Sequence, residues 1–159
     1  MIYRIISVGK LREPFYQQGS REYLKRLTAY NRIELLDGLE EKLSPKAGDK
    51  DVEKVLDKEA DRILALFNRD DYLVLLDVQG REIDSPVLAH YINVWNQSPY
   101  KRINFLIGSA HGVAGRVKAR ADVALSLSRL TLPHQMAVLL LTEQLYRGFK
   151  ILKNEPYHH

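Results

Sequence analysis

Cysteine is absent from the chain. That excludes disulfide frameworks and thiolate metal sites, and it is compatible with a reducing compartment. No apolar run is longer than Met136 to Leu141, far short of the roughly 20 residues a membrane-spanning helix needs. No membrane association is therefore expected. No signal-like segment stands ahead of the first strand pattern, because Met1 leads straight into "IYRIISVGK"; a cytoplasmic location is the expectation. Neither G-x-G-x-x-G nor a P-loop pattern occurs. His111 and His134 have no further ligands at metal spacing, so no metal is expected. Internal repeats and linker-like stretches are missing too. The 159 residues read as one domain, 1–159, large enough to bury about two-thirds of its unfolded surface.

What is present is ordinary for a globule, with 45% hydrophobic and 28% charged residues. The net charge of +4 permits an anionic partner such as RNA and fits an ordinary basic protein equally well. Strand patterns fall at "IYRIISVGK", "RIELLDGL", "YLVLLDV", "INFLIGS" and "DVALSLSRL". Helical spacing fills Glu13 to Tyr30, Val52 to Phe67, the segment capped by Asp84 or Ser85, the short basic "HGVAGRVKARA", and the segment opened by Pro133. "EEKLSPKAGDK" reads as a mobile loop and "QGRE" as a turn. The order βαβαβαβαβα predicts one α/β domain with a mostly parallel sheet and helices on both faces.

Ligands of such sheets bind beyond the carboxyl ends of the strands. Three strand ends carry suitable residues: Leu75 to Asp77, Leu106 to Gly112, and Leu125 to His134. "GSAHG" permits a close ligand approach but reads more simply as a strand-to-helix turn. "LSLSRLTLPH" is long and hydroxyl-rich. It suits an adenine edge held by backbone groups between leucines, and equally a plain connection to the last helix. His134, in the first turn of that helix, reads alone as a neutral histidine bonded near the cap. Glu143 and Arg147 form an i, i+4 pair, either at the surface or buried against a second subunit. The helix is apolar nearly all round from Met136 to Leu141, so it needs cover on more than one side. The chain then ends in the dense group "NEPYHH".

"LIGSAHG", "ALSLSRLTLPHQM", "EQLYRGFKI" and "NEPYHH", with the opening "ISVGKLRE", together resemble the bacterial 23S rRNA (pseudouridine-N3)-methyltransferases of the SPOUT class. The resemblance covers the whole chain. It implies an α/β-knot fold with a C-terminal trefoil knot, a homodimer, and S-adenosyl-L-methionine as methyl donor. It also implies a pseudouridine in helix 69 of 23S rRNA as substrate, met on the large subunit or the 70S ribosome. Carried over by position, Leu76, Gly108, Leu127, Ser128, Arg129, Leu130, Thr131 and Leu132 would hold the cofactor. Tyr157 and His158 would be the catalytic tail at the mouth of the pocket, with little core to hold them. Arg147, His134 and His159 would bind substrate. The chain departs from the family pattern at Ser109, usually glycine, at Val138, often arginine, and at His159, commonly arginine or lysine. Arg147, Arg129 and Lys153 are the candidate replacement cations.

Overall fold

A computed structural model describes residues 1–158; the expected substrate residue His159 lies outside the described residues. Five strands alternate with five helices: β1 (Ile2–Ser7), α1 (Pro14–Leu27), β2 (Arg32–Leu36), α2 (Asp49–Leu64), β3 (Asp71–Glu82), α3 (Ser85–Asn96), β4 (Arg102–Ile107), α4 (Gly115–Arg120), β5 (Val123–Ser126) and α5 (His134–Leu152). All pairings are parallel, in the order β2-β1-β4-β3-β5. The predicted element order holds throughout. The Asp84 carboxylate caps α3 by accepting from Val87 N at 2.9 Å.

Alternation along the strands sorts the core into two layers. Tyr3 and Ile5, Val74, and Ile103, Phe105 and Ile107 face one way, where Val138, Leu141, Leu145 and Phe149 of α5 meet Leu88, Ile92 and Trp95 of α3. Ile6, Leu73, Leu75 and Leu106 face the other way, towards Ala60 and Ile63 of α2 and Val117 of α4. α5 also packs on α1. The all-round apolar stretch of α5 is thus largely covered within the chain, although Met136 on α5 and Phe15 on α1 stay exposed.

The "QGRE" segment departs from its expected turn. β3 runs on through it, with a register shift against β5: Leu76 and Arg81 both lie opposite Leu125. Residues 77–80 are looped out, and the Asp77 carboxylate closes the excursion by accepting from Gln79 N at 2.9 Å. A Cβ on Gly80 would fall 2.7 Å from a backbone carbon of Leu125. Only glycine lets the strand return against its neighbour, and the excursion pushes Asp77 and Val78 beyond the sheet edge.

Two charges are buried at the opposite, amino-terminal edge. Asp71 accepts from Arg102 Nε at 2.7 Å, and the buried Arg4 guanidinium lies 3.9 Å away. Arg4 also donates to Asn104 at 2.7 Å and to the Leu66 carbonyl at 2.8 Å. Burial alone would raise the Asp71 carboxyl, but donation from Arg102 and from Asn68 N–H outweighs it and holds the group below the usual carboxylate range.

Candidate active site

β3 and β4 are neighbours, yet β3 leads to α3 on one face of the sheet and β4 to α4 on the other. Connections that part in this way open a crevice beyond the carboxyl ends of the strands. A cavity of about 710 Å³ lies there, within the roughly 300–1,000 Å³ typical of small-molecule sites. Its walls come from residues 75–78 of β3 where its excursion begins, from Ile107–Ala110 with Gly112 and Val113 at and beyond the end of β4, from Lys118, and from the segment after β5 through Ala137.

Each wall has a local cause. Gly112 N donates to the Ser109 carbonyl at 2.9 Å, and Gly112 takes a φ of +82°, so "GSAHG" is a tight turn. A Cβ on Gly108 would meet Val113 at 2.9 Å and the Gly112 carbonyl at 3.0 Å, which keeps that wall low. In the third wall Ser126 donates to the Ser128 carbonyl, and Ser128 Oγ accepts from Leu130 N, both at 2.9 Å. These serines bend the chain away from β5 and leave the following backbone lining the cavity. The segment then reaches the end of β1. There His134 Nε2 meets the Lys10 carbonyl at 3.0 Å, and the Gln135 side-chain carbonyl accepts from Arg12 N and Glu13 N at 2.8 and 2.9 Å.

Of the residues expected to hold the cofactor, Leu76, Gly108, Leu127, Ser128, Leu130, Thr131 and Leu132 line this one cavity. Arg129 does not; it turns outward to an ion pair with Glu82. His134 also lines the cavity. A carbonyl partner requires N–H at its Nε2. Lys118 and Ala137 were not anticipated. Lys118 sits in a basic stretch that reads as solvated, and Ala137 carries no chemical signal at all.

Tyr157, His158 and Arg147 are placed elsewhere. Asn154 takes a left-handed φ of 53° just past α5 and turns the chain back along the helix. Glu155 accepts from Tyr30 and from Lys150, both at 2.7 Å. Tyr157 packs edge-on against Tyr146 at 4.8 Å, lies under the Arg147 guanidinium at 4.6 Å, and donates to Glu143 at 3.0 Å. Arg147 donates to Glu143 at 2.7 Å and approaches His158 Nδ1 at 3.2 Å. Burial, reinforced by hydrogen bonds to Tyr23 and Glu143, pushes the Tyr157 phenol above its ordinary value, so its hydroxyl is a donor. The tail is therefore clasped to its own helix, and not loose as the sequence suggested. Arg147 is ten residues from the cavity-lining Ala137, about 15 Å along the helix. Within one chain the structure does not bring the tail to the cavity.

Together, the parallel sheet and the cavity at its switch point define an α/β protein with a pocket of small-molecule size. The family model "Predicted SPOUT methyltransferase" matches residues 1–158. A protein of Syntrophomonas wolfei named ribosomal RNA large subunit methyltransferase H is 56% identical over 158 residues, with 99% of each chain covered. One of the same name from Desulfitobacterium hafniense is 41% identical over 98% of this chain and 97% of its own length. Among solved structures, a probable methylase family protein from Haemophilus influenzae superposes with a TM-score of 0.50 at 14% identity, covering 96% of this chain and 66% of that one; this likeness concerns the fold. The chain belongs to the SPOUT methyltransferase family, alongside the proteins named ribosomal RNA large subunit methyltransferase H. Among the described residues no helix is long and apolar enough to cross a membrane, and no group of acidic or histidine side chains could hold a metal ion.

Proposed function

We propose that the protein is an S-adenosyl-L-methionine-dependent methyltransferase of large-subunit ribosomal RNA. Its target in this reading is N3 of a pseudouridine in helix 69, reached on the large subunit or the 70S ribosome. The observation that carries the reading is the convergence of seven expected residues, from three strand ends, on one cavity at the sheet's switch point. The donor set fits the cofactor. Leu76, Leu127 and Leu132 offer apolar faces to an adenine ring, and Leu130, 74% exposed, would be covered by one. Backbone groups from Ser128 to Leu132 stand ready for the ring edge, and Gly108 permits close approach. When bound, the cofactor supplies an electrophilic methyl group on a sulfonium. The rest falls to the chain: excluding water, and orienting the target base so that N3 faces the methyl as its proton leaves.

The tail is suited to that orientation. The Tyr157 ring could stack on an unstacked base, an interaction worth roughly 1–3 kcal/mol. Its hydroxyl is a donor rather than a base. Arg147 supplies positive charge beside it. We assign the tail to the cavity of a partner subunit. Two α5 helices packed antiparallel about a twofold axis near Thr142 would set Arg147 of each beside Ala137 of the other. The exposed Phe15 and Met136 lie at the same end of α1 and α5 and extend that face.

Two measurements test this. Calorimetry should detect S-adenosylhomocysteine binding without added metal, and Gly108→Trp should abolish it by filling the cavity. Undiminished binding in that variant moves the site elsewhere. Light scattering at micromolar concentration should give a dimer mass, and Leu140→Asp should shift it towards monomer, because an unpaired charge in an apolar interface costs several kcal/mol. A wild-type monomer would remove the shared site.

A further inference from the structure

Among the described residues, the walls of the cavity hold one ammonium group, and it was not among the residues expected to act. α4 carries three basic side chains. Arg116 is committed to Asp57 and Asp61, at 3.0 and 2.7 Å. Arg120 is committed to Asp122 at 3.1 Å and to the Asp71 carbonyl at 2.8 Å. These two are one turn apart and share a side of the helix. Lys118 lies between them, about 200° round the axis from Arg116, and it lines the cavity. It has no ion-pair partner among the described residues. Its location differs in kind from those of the other candidate cations. Arg129 is paired with Glu82 outside the cavity, Arg147 is held by Glu143 at the far end of α5, and Lys153 follows that same end.

The cofactor class has an asymmetry that matches. Its adenosine half is a flat ring and a neutral sugar, which the leucine- and serine-rich wall suits. Its amino-acid half ends in an α-carboxylate, for which that wall offers no positive side chain. Lys118 stands on α4, which packs on the other face of the sheet from α5, so it meets the cavity from the side away from α5. We propose that Lys118 anchors the α-carboxylate of the cofactor's amino-acid moiety, as a positioning residue. The proposal rests on the methyltransferase reading given above. An ammonium there aligns the amino-acid half, and so sets the direction in which the methyl group is presented.

The test compares two ligands across three proteins. S-adenosylhomocysteine carries the carboxylate; 5′-methylthioadenosine keeps the adenosine and the sulfur but lacks the whole amino-acid end. Calorimetry on the full-length protein should show that Lys118→Met weakens S-adenosylhomocysteine binding about tenfold, the loss of one charge-assisted contact. Binding of 5′-methylthioadenosine should be unchanged, and Lys118→Arg should restore most of the loss. In the wild type, raising the salt concentration should weaken the first ligand more than the second, since an exposed ion pair is screened. Equal losses for both ligands, or no loss for either, overturn the proposal while leaving the cavity assignment standing. If wild-type protein binds neither ligand, or Gly108→Trp leaves both bound, the cofactor cavity itself is misassigned and Lys118 falls with it.

Discussion

Deleting the chain from Tyr157 onward lowers methyl transfer to ribosomes by about 100-fold or more, the scale on which misplacing a reacting group acts. S-adenosylhomocysteine affinity stays nearly unchanged, because within one chain no tail residue among the described residues lines the cavity. The melting temperature falls by a few degrees. The deletion removes the edge-on contact with Tyr146 and the stacking under Arg147. Each contributes on the order of 1 kcal/mol, and 1 kcal/mol moves a domain of this size by about 2–4 °C. Tyr157→Phe keeps the ring and loses only the hydroxyl's bonds to Glu143 and Tyr23, so it should be milder than Tyr157→Ala. Equal losses in the two would transfer the role to the hydroxyl. A truncated protein working at full rate would strip Tyr157 and His158 of any part in catalysis. One that no longer bound cofactor would place the tail in the cofactor pocket.

The second large effect concerns stability alone. Asp71→Ala destabilises the fold by about 3–5 kcal/mol, because it leaves the buried Arg4 and the half-buried Arg102 without their carboxylate. Urea unfolding reads this directly. The same group gives the wild type an acid-sensitive component. The folded-state value of Asp71 lies below its unfolded value, so the stabilisation is present above an unfolded pKa of about 3.9 and is lost as pH falls through the folded value. In Asp71→Ala that part of the acid slope should vanish. S-adenosylhomocysteine affinity should persist under conditions where the variant is folded, because Asp71 sits at the edge of the sheet opposite the cavity. An unfolding curve matching wild type would mean that Arg4 and Arg102 find water instead.

Element order was legible because apolar spacing changes cleanly between strands and helices, and because Asp84 and Pro133 mark helix starts. Strand ends were legible as site walls because parallel sheets place ligands there. Side-chain direction was not. Arg129 sits in the middle of a cavity-lining run, yet Glu82, 47 residues away in sequence, draws it outward. Lys118 lies in a run of basic residues, and only the carboxylates of α2 and Asp122 reveal which of its neighbours are already engaged. The excursion at residues 77–80 hid behind an ordinary turn signal, since "QGRE" has the same letters whether a strand ends there or bulges and resumes. The tail's placement hangs on one left-handed backbone angle at Asn154. Asparagine tolerates that angle without demanding it.

The pinning of α5 to the loop after β1 bears on how the protein is born. Lys10 and His134 are 124 residues apart, and the core around Tyr3, Ile5 and Leu27 is closed by Val138, Leu145 and Phe149 from α5. During synthesis the emerging amino-terminal half presents this apolar face with nothing to cover it, and the wall of the cavity from Leu127 to Leu132 has yet to be drawn across the sheet. Closure waits until α5 has emerged from the translating ribosome, and contacts of such long sequence separation form slowly. In the proposed role, the protein thus acquires its activity only once α5 is in place.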